Sequence, residues 1–432
     1  MSETTPRIAA TARLDHGVVA VESEHDVHAM VEIEVGSAPG KASRPRLNLA
    51  LVIDRSGSMA GQKLAVTKES ARFLVRRLTP EDRLALVTFD DAVAVPYAMA
   101  PVDLDALLLA ISEIHEGGST NLSGGWLKGV EEVSRAAGDG PRKVLLLSDG
   151  QANVGVADHD ALATMARNAR ESRNVTTTTI GFGEGFDEDL MSRMADAGTG
   201  SAHFIEGPDG APAVFAEEFA DLAAIVAQNL SVEIRPSEEV AMLGILNEFP
   251  QVAVDGGVQV ILGDAYAEER RRVVLQLHVP ALPDLGPTKV ADVVIRYVAL
   301  GEQIESHEVT FPLMVNRVSA DDPGVHAVDR DVTDEVTILK AAKAQAAALE
   351  ALDRGDFDGA RALLDEAADA LERTAPGSPL EDSLREQARS MRERTATLDP
   401  AAYGTMDRKA MRYDERQMRS TRLGPDGRRK RR

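Results

Sequence analysis

The central part of the chain alternates between continuous apolar runs and segments with helical spacing. Between residues 46 and 230 the apolar runs are LNLALVI (47–53), RLALVTF (83–89), KVLLLS (143–148) and VTTTTIGF (175–182). Strands without polar alternation are buried on both faces, as in a parallel sheet covered by helices. The spacing predicts helices over 62–78 and over 158–172, the second of which begins at a capping Asp158. These features predict a doubly wound, Rossmann-like α/β domain over residues 46–230.

The segments on either side of this domain alternate apolar and polar residues. In VHAMVEIEV, one face of a strand carries Val27, Ala29, Val31, Ile33 and Val35. Beyond residue 230 the strand-like runs are SVEIRP, GVQVILG, RRVVLQLHVP, KVADVVIRYVAL and SHEVTFPLMV. This period of two, with Pro and Gly turns, predicts an antiparallel β-sandwich over 231–317. Residues 8–45 are expected to join that sandwich, so the α/β domain would be inserted into it.

From Asp334 the pattern is helical. The turn GDFDGARALLDEA resembles a tetratricopeptide-type hairpin, but no series of repeats follows it, so a small helical packing module is predicted over 334–398. Residues 404–432 contain 11 Lys or Arg against four Asp or Glu, a charge of +7 in a chain whose net charge is -22. The expectation is a disordered basic tail, with a nucleic-acid anchor and a strap onto the acidic body as alternatives.

Composition narrows the class of protein. The 432 residues suggest two or three domains, and the absence of cysteine excludes disulfides, thiolate metal sites and cysteine nucleophiles. No segment approaches about 18 uncharged apolar residues, and the N-terminus lacks a basic region followed by an apolar one, so a cytoplasmic protein without a membrane span is expected. An acidic body repels nucleic acid, which leaves the tail as the one plausible contact with a polyanion. The excess of Arg over Lys, 38 to 10, favours a GC-rich bacterial source.

Oxygen-bearing side chains stand at the ends of two predicted strands. LALVIDRSGSMAGQKL ends its apolar run at Asp54, with Ser56 and Ser58 at alternate positions, and LLLSDGQANVG ends at Asp149. The glycine-rich turn GGSTNLSGG carries Thr120. Ligands bind outside the carboxyl ends of strands in open α/β sheets, so these side chains are expected to converge. Hard oxygen ligands without His or Cys suit Mg²⁺, Mn²⁺ or Ca²⁺.

The segments DRSGS, STN and SDG together resemble the metal-ion-dependent adhesion site of von Willebrand factor A domains. The resemblance includes DRLALVTFDD and TIGFGEGFDEDLMSRMA, and with the flanking strands and helices it extends over roughly residues 8–400, as in bacterial relatives of the inter-alpha-trypsin inhibitor heavy chain type. It implies that Ser56 and Ser58 bind the ion directly, that Thr120 does so in the high-affinity state, and that Asp54 and Asp149 act largely through water.

The resemblance also implies a binding function. The ion, Mg²⁺ or alternatively Mn²⁺ or Ca²⁺, would capture an Asp or Glu of a protein partner on the surface around the site, in complex assembly or regulation. Anionic ligands held behind water leave the ion enough positive charge to attract an acidic side chain. Because the turn reads GGSTN where relatives often have GGTN, Ser119 competes for the role of Thr120; the adjacent Asn121 favours Thr120. The sequence indicates neither the partner nor the oligomeric state.

Other interpretations of these residues are weaker. GGSTNLSGG lacks the lysine and spacing of a phosphate-binding loop, and no G-x-S-x-G or HExxH accompanies the serines, so the expectation is a protein that is not an enzyme. A metal-dependent hydrolase is the first alternative, and a scaffold acting through the helical module and basic tail is the second. Asp90 and Asp91 are expected in a solvated turn, and Trp126 is expected to pack beside the metal loop.

Overall fold

The computed structural model describes residues 8–37, 46–136, 140–183, 185–205, 214–216, 218, 220, 221, 224–300, 305–398, 403–420, 422 and 423. Its strands, in chain order, are β1 (Ile8–Leu14), β2 (Val18–Ala20), β3 (His25–Val35), β4 (Asn48–Asp54), β5 (Arg83–Phe89), β6 (Val93–Pro101), β7 (Arg142–Ser148), β8 (Val175–Phe182), β9 (Thr199–Ile205), β10 (Ile225–Pro236), β11 (Ala241–Ile245), β12 (Gln251–Val254), β13 (Gly257–Tyr266), β14 (Arg270–Val279), β15 (Gly286–Ala299), β16 (Glu305–Val318) and β17 (Arg422–Leu423). Its α-helices include α1 (Gln62–Val75), α2 (Leu104–Ser112), α3 (Leu122–Ser134), α4 (His159–Arg173), α5 (Glu188–Ala197), α6 (Arg330–Asp353), α7 (Phe357–Thr374), α8 (Glu381–Thr397) and α9 (Thr405–Arg419).

The α/β segment is built on one mixed sheet with the strand order β6-β5-β4-β7-β8-β9. Strands β5, β4, β7, β8 and β9 are parallel, and β6 is antiparallel at the edge. Every residue of β4 and β8 is buried, in agreement with the continuous apolar runs. Separate apolar clusters cover the two faces of the sheet, one containing Leu51 and the other Val52. The α/β class predicted from the sequence is therefore confirmed.

The helices and strands of this segment differ in detail from the expectation. Helix α1 ends at Val75, three residues before the predicted end at 78, and α4 begins after Asp158, whose carboxylate accepts a hydrogen bond from the amide of Ala161. Strands β6 and β9 have no predicted counterpart. Strand β6 lies at the sheet edge with mostly exposed or half-buried side chains, so it lacks the apolar run that marked its neighbours.

Strands from before and after the α/β segment pair with one another. Strand β3 pairs with both β1 and β14, and β11 and β17 complete that antiparallel sheet. A second sheet has the order β12-β13-β10-β15-β16-β2. The two sheets share one apolar cluster, to which β3 contributes Val27, Ala29, Val31, Ile33 and Val35. The one-face pattern predicted for VHAMVEIEV is confirmed. Residues 38–45, the last part of the segment 8–45 that is expected to join the sandwich, lie outside the described residues.

The C-terminal helices pack onto the outer face of the first of these sheets. Val332 and Val336 of α6 lie in one apolar cluster with Met30 of β3 and Val274 of β14. Beside this cluster, Arg272 forms ion pairs with Glu32 and Glu335 at 2.6 and 2.9 Å. The helical region thus contacts the strands that flank the α/β segment. No helix within the described part of the chain has both the length and the apolar character of a membrane span.

The expectation of a disordered tail over 404–432 is wrong for the part that the structure describes. Helix α9 follows Gly404, and Arg408 forms a bidentate ion pair with Asp353 of α6 at 2.9 and 2.8 Å. Met411, Met418 and Leu423 are buried. Burial of these apolar side chains and pairing of the arginines with acidic residues offset the entropy lost by ordering the segment. The strap alternative matches this arrangement; the final RRKRR lies outside the described residues.

Candidate metal site

The two predicted carboxylates lie at the same edge of the mixed sheet. Asp54 is the last residue of β4, and Asp149 directly follows β7. These strands are adjacent and parallel, with Ile53 opposite Leu147. Both carboxylates are fully buried, at 0% exposure. Parallel pairing therefore places two acidic side chains, 95 positions apart in sequence, at one end of the sheet.

The loop after β4 folds back onto Asp54. The amide of Ser56 donates a hydrogen bond of 2.8 Å to Oδ1 of Asp54, and the hydroxyl oxygens of Ser56 and Ser58 are 3.2 Å apart. Ser56 is buried, whereas Ser58 is exposed. The D-x-S-x-S spacing thus gives one cluster of oxygens that extends from the buried strand end to the surface.

Backbone hydrogen bonds hold the Thr120 turn against this loop. The amide of Gly57 donates to the carbonyl of Gly118 at 2.8 Å, and the amide of Gly117 donates to the carbonyl of Arg55 at 2.7 Å. Thr120 is 2% exposed. Its neighbour Ser119 is exposed. The structure thus distinguishes the two hydroxyls by burial, and Thr120 is the one enclosed between loops.

Side chains that sequence reasoning missed support the predicted ones. Ser148, the last residue of β7, donates its hydroxyl proton to Oδ2 of Asp54. Oδ1 of Asn153 accepts a hydrogen bond of 2.7 Å from the backbone amide of Thr120. The backbone amide of Asn153 in turn donates to the carbonyl of Thr120 at 3.1 Å. Ser148 directly precedes Asp149 in the quoted segment LLLSDGQANVG, which also contains Asn153. The sequence offered only this proximity as a signal.

The environment of Asp54 disfavours its charged form. Burial raises the pKa of Asp54 to about 6, and the nearby charge of Asp149 acts in the same direction. Hydrogen bonds from Ser148 and Ser56 act in the opposite direction and do not cancel the effect of burial. A carboxylate pair held in this way is stabilised by a cation placed near it.

A protein cation already contacts one of the carboxylates. Lys63, the second residue of α1, places its Nζ 3.0 Å from Oδ2 of Asp149, and its side chain is 28% exposed. The lysine ammonium therefore stands where positive charge is favourable. Lys63 lies within the quoted segment LALVIDRSGSMAGQKL, but nothing in that segment indicates that its side chain reaches the end of β7.

The solvated turn expected for Asp90 and Asp91 holds for only one of them. Asp91 is exposed. Asp90 is buried, and its carboxylate pairs with Arg55 at 2.9 Å and accepts the amide proton of Ala92 at 2.8 Å. Its backbone carbonyl also accepts a hydrogen bond from the amide of Asn121. The prediction for Asp90 is wrong because this residue connects the Asp54 and Thr120 loops.

Trp126, which is expected beside the metal loop, packs in the apolar core on one face of the sheet. It is fully buried in α3, and its indole nitrogen donates to the hydroxyl of Thr177 at 3.2 Å. A side chain added at the adjacent Gly125 would lie 2.3 Å from the ring of Phe89. The helix that follows the Thr120 turn is thus packed closely against the end of β5.

The donor set suits a hard divalent cation. It combines the carboxylates of Asp54 and Asp149 with the hydroxyls of Ser56, Ser58 and Thr120, all oxygen ligands of the kind that Mg²⁺, Mn²⁺ and Ca²⁺ take. Within the described ranges, no three His, Cys, Asp or Glu side chains are grouped to hold a metal ion. An ion here would consequently depend on hydroxyl groups and water as well as on carboxylates.

Comparison with known proteins relates the α/β segment to a known domain family. Residues 48–217 match the sequence profile of the von Willebrand factor type A domain. An uncharacterized protein of Synechocystis sp. is 28% identical over 334 residues, which cover 74% of this chain and 78% of that protein. Inter-alpha-trypsin inhibitor heavy chain H1 of Mesocricetus auratus is 32% identical over 180 residues, 39% of this chain and 19% of that protein.

A solved structure extends the likeness to nearly the whole chain. The von Willebrand factor type A protein from Catenulispora acidiphila superimposes with a TM-score of 0.74 at 18% identity. The superposition covers 95% of this chain and 96% of that one. At this identity the likeness concerns the fold, which includes the α/β segment, the flanking strands and the C-terminal helices.

Proposed function

Residues 48–217 of this chain form a von Willebrand factor type A domain, and we propose that this domain binds a divalent cation and uses it to capture an acidic residue of a protein partner. Domains of this family generally mediate metal-dependent protein–protein interaction. The observation that carries the proposal is the convergence of two buried carboxylates with the hydroxyls of Ser56 and Ser58, beside the enclosed Thr120 turn.

The residues have distinct roles in this proposal. Ser56, Ser58 and Thr120 hold the ion directly, while Asp54 and Asp149 act mainly through water. The bound ion, Mg²⁺ or alternatively Mn²⁺ or Ca²⁺, supplies positive charge that attracts a carboxylate. Asp54 orients the first loop through the amide of Ser56, and Ser148 holds Asp54 in place. The exposed hydroxyl of Ser58 lies on the surface that the partner would approach.

We also propose that the protein is not an enzyme. A metal-dependent hydrolase needs a second metal ion or a general base to activate water. Among the described side chains hydrogen-bonded to Asp54 or Asp149, none is a histidine. Turnover of phosphoester or peptide substrates in the presence of Mn²⁺, lost in Asp149→Ala, would favour the hydrolase instead.

The arrangement of the domains is part of the proposal. We infer that the two flanking sheets, antiparallel except for the parallel pairing of β2 with β16, form one β-sandwich into which residues 46–230 are inserted, because strands from both sides of the insertion share one apolar cluster. The cytoplasmic location and bacterial source expected from the sequence remain predictions.

Thermal unfolding with and without divalent cations tests the proposed ion. A ligand that binds only the native state at a hundredfold excess over its Kd adds about 2.7 kcal/mol to the free energy of unfolding. Mg²⁺ or Mn²⁺ should raise the melting temperature of the wild type and not that of Asp54→Ala. An unchanged melting temperature of the wild type in millimolar Mg²⁺, Mn²⁺ and Ca²⁺ would contradict the proposal.

Capture of partners from a lysate of the source cells distinguishes adhesion from a scaffold role. Proteins retained in Mg²⁺ and released by a chelator, and lost in Thr120→Ala, support metal-dependent capture. The scaffold alternative predicts retention that is unaffected by the chelator but lost when Arg412 and Arg419 are both changed to Glu, because these residues hold the C-terminal helix in place.

A further inference from the structure

Lys63 adds a third charge to the pair formed by Asp54 and Asp149. Its Nζ is 3.0 Å from Oδ2 of Asp149, a carboxylate with 0% side-chain exposure. Within the described part of the chain, the remaining Asp149 oxygen, Oδ1, accepts one long hydrogen bond of 3.5 Å, from the amide of Gln151. Lys63 is therefore the main charged partner of this carboxylate among the described residues.

The path of the Lys63 side chain is enclosed on one side by backbone. A side chain added at Gly183 would lie 2.6 Å from Cε of Lys63, and Gly183 has a φ of +79° that favours glycine. Lys63 also occupies the first turn of α1, where the helix dipole disfavours a cation. The lysine thus reaches Asp149 past a glycine, from a position that costs helix stability.

Two other charged side chains near the strand ends have partners of their own, apart from Asp54 and Asp149. Arg55 pairs with Asp90 at 2.9 Å, and Asp187, whose amide donates to the carbonyl of Asp149, pairs through its carboxylate with His159 at 3.1 Å. With both metal-site carboxylates ionised, Asp54, Asp149 and Lys63 together carry one net negative charge. A divalent ion would give the site one net positive charge, whereas without Lys63 the loaded site would be neutral.

We propose that Lys63 sets the charge of the loaded site so that it binds metal less tightly and carboxylate more tightly. The ammonium opposes the incoming dication at Asp149 and, once the ion is bound, leaves a net positive charge for an anionic ligand. This inference rests on the proposed function and specifies its ligand chemistry as a carboxylate anion.

Substitution of Lys63 tests the inference with Mn²⁺ and acetate as probes. Mn²⁺ binding is measured by the loss of the free-ion electron paramagnetic resonance signal, and acetate binding by the change in water-proton relaxation of the Mn²⁺-loaded protein. Lys63→Met and Lys63→Gln should bind Mn²⁺ at least about threefold more tightly and acetate at least about threefold more weakly than the wild type. Lys63→Arg, which keeps the charge, should resemble the wild type.

The two binding constants separate an electrostatic role from a structural one. If Lys63 has only a structural role, its substitution should weaken the binding of both Mn²⁺ and acetate or of neither. Either result overturns the inference. Thermal melts followed by circular dichroism show whether each variant is folded. If Lys63→Met is unfolded, the binding constants are measured on Lys63→Gln. If the wild-type protein binds no Mn²⁺, the proposed function is wrong. If the wild type binds Mn²⁺ and the Mn²⁺ and acetate binding constants are unchanged in Lys63→Met and Lys63→Gln, only the role of Lys63 is wrong.

Discussion

The hydroxyl of Ser148, at the end of β7, donates a hydrogen bond to the carboxylate of Asp54, at the end of the adjacent β4. Both side chains are fully buried. This contact joins the two strands at the edge where the candidate ligands meet. It also supplies one of the few polar partners of a fully buried carboxylate.

Removal of this hydroxyl should destabilise the protein. In Ser148→Ala, Oδ2 of Asp54 loses its donor, and a buried acceptor left unsatisfied costs about 1–3 kcal/mol. Urea unfolding in a chelator should show a decrease of that size in the free energy of unfolding. Ser134→Ala is the control, because its hydroxyl donates within α3 to the carbonyl of Val130 and is half-buried. Equal losses in both variants would contradict a special role for Ser148.

The sequence predicted those parts of the structure in which local pattern and tertiary environment agree. The buried face of β3 follows from the period-two alternation of its residues, and the start of α4 follows from the capping side chain of Asp158. The pairing of Lys63 with Asp149 was not predictable, because it depends on the distance between α1 and the end of β7.

The tail was misjudged for a related reason. Its charge pattern is that of a solvated segment, and only the folded surface reveals the acidic residues that neutralise it. Asp189 of α5 and Asp353 of α6 are separated by more than a hundred residues in sequence, yet both pair with arginines of α9. The burial of Met411 and Met418, seven positions apart, completes the contact.

The raised pKa of Asp54 predicts a specific pH dependence in metal-free protein. Because the native pKa of about 6 exceeds the ordinary pKa of 3.8 for an aspartate, the native state binds more protons than the unfolded state between these values. The contribution of Asp54 is therefore fully present below about pH 4 and is lost as the pH rises through about 6, a difference of up to about 3 kcal/mol.

Comparison of wild type with Asp54→Asn isolates this contribution. The difference between their free energies of unfolding, measured in chelator from pH 4 to pH 7, should shift in favour of Asp54→Asn as the pH rises. A difference that does not vary with pH would show that Asp54 titrates at its ordinary value. Carboxylates remote from Asp54 contribute equally to both proteins and cancel in the comparison.

The C-terminal helix should detach when its ion pairs are reversed. Burial acts to raise the pKa of Asp189, but hydrogen bonds from His159 and Arg412 outweigh it and lower the pKa to about 2. Arg412→Glu places a second negative charge against that carboxylate. Amide hydrogen exchange in residues 405–419 should accelerate by at least about tenfold, since loss of roughly 1.4 kcal/mol of local stability has that effect.

Arg373→Glu provides a matched charge reversal for this experiment. Arg373 is exposed near the end of α7, away from the Asp189 contact. Its variant should leave exchange in α9 unchanged. Protection of α9 that survives Arg412→Glu would mean that Met411, Met418 and the pairing of β17 with β14 hold the segment without the arginine.

Titration of metal-free protein with Mn²⁺, followed by electron paramagnetic resonance, measures whether the hydroxyls and carboxylates at the ends of β4 and β7 bind one divalent cation. We expect one ion bound per wild-type chain, affinity at least about tenfold lower in Ser58→Ala, and wild-type affinity in Ser319→Ala, an exposed control. The proposed site is wrong if the wild-type protein binds no Mn²⁺ at millimolar concentration, or if Ser58→Ala binds Mn²⁺ as tightly as the wild type.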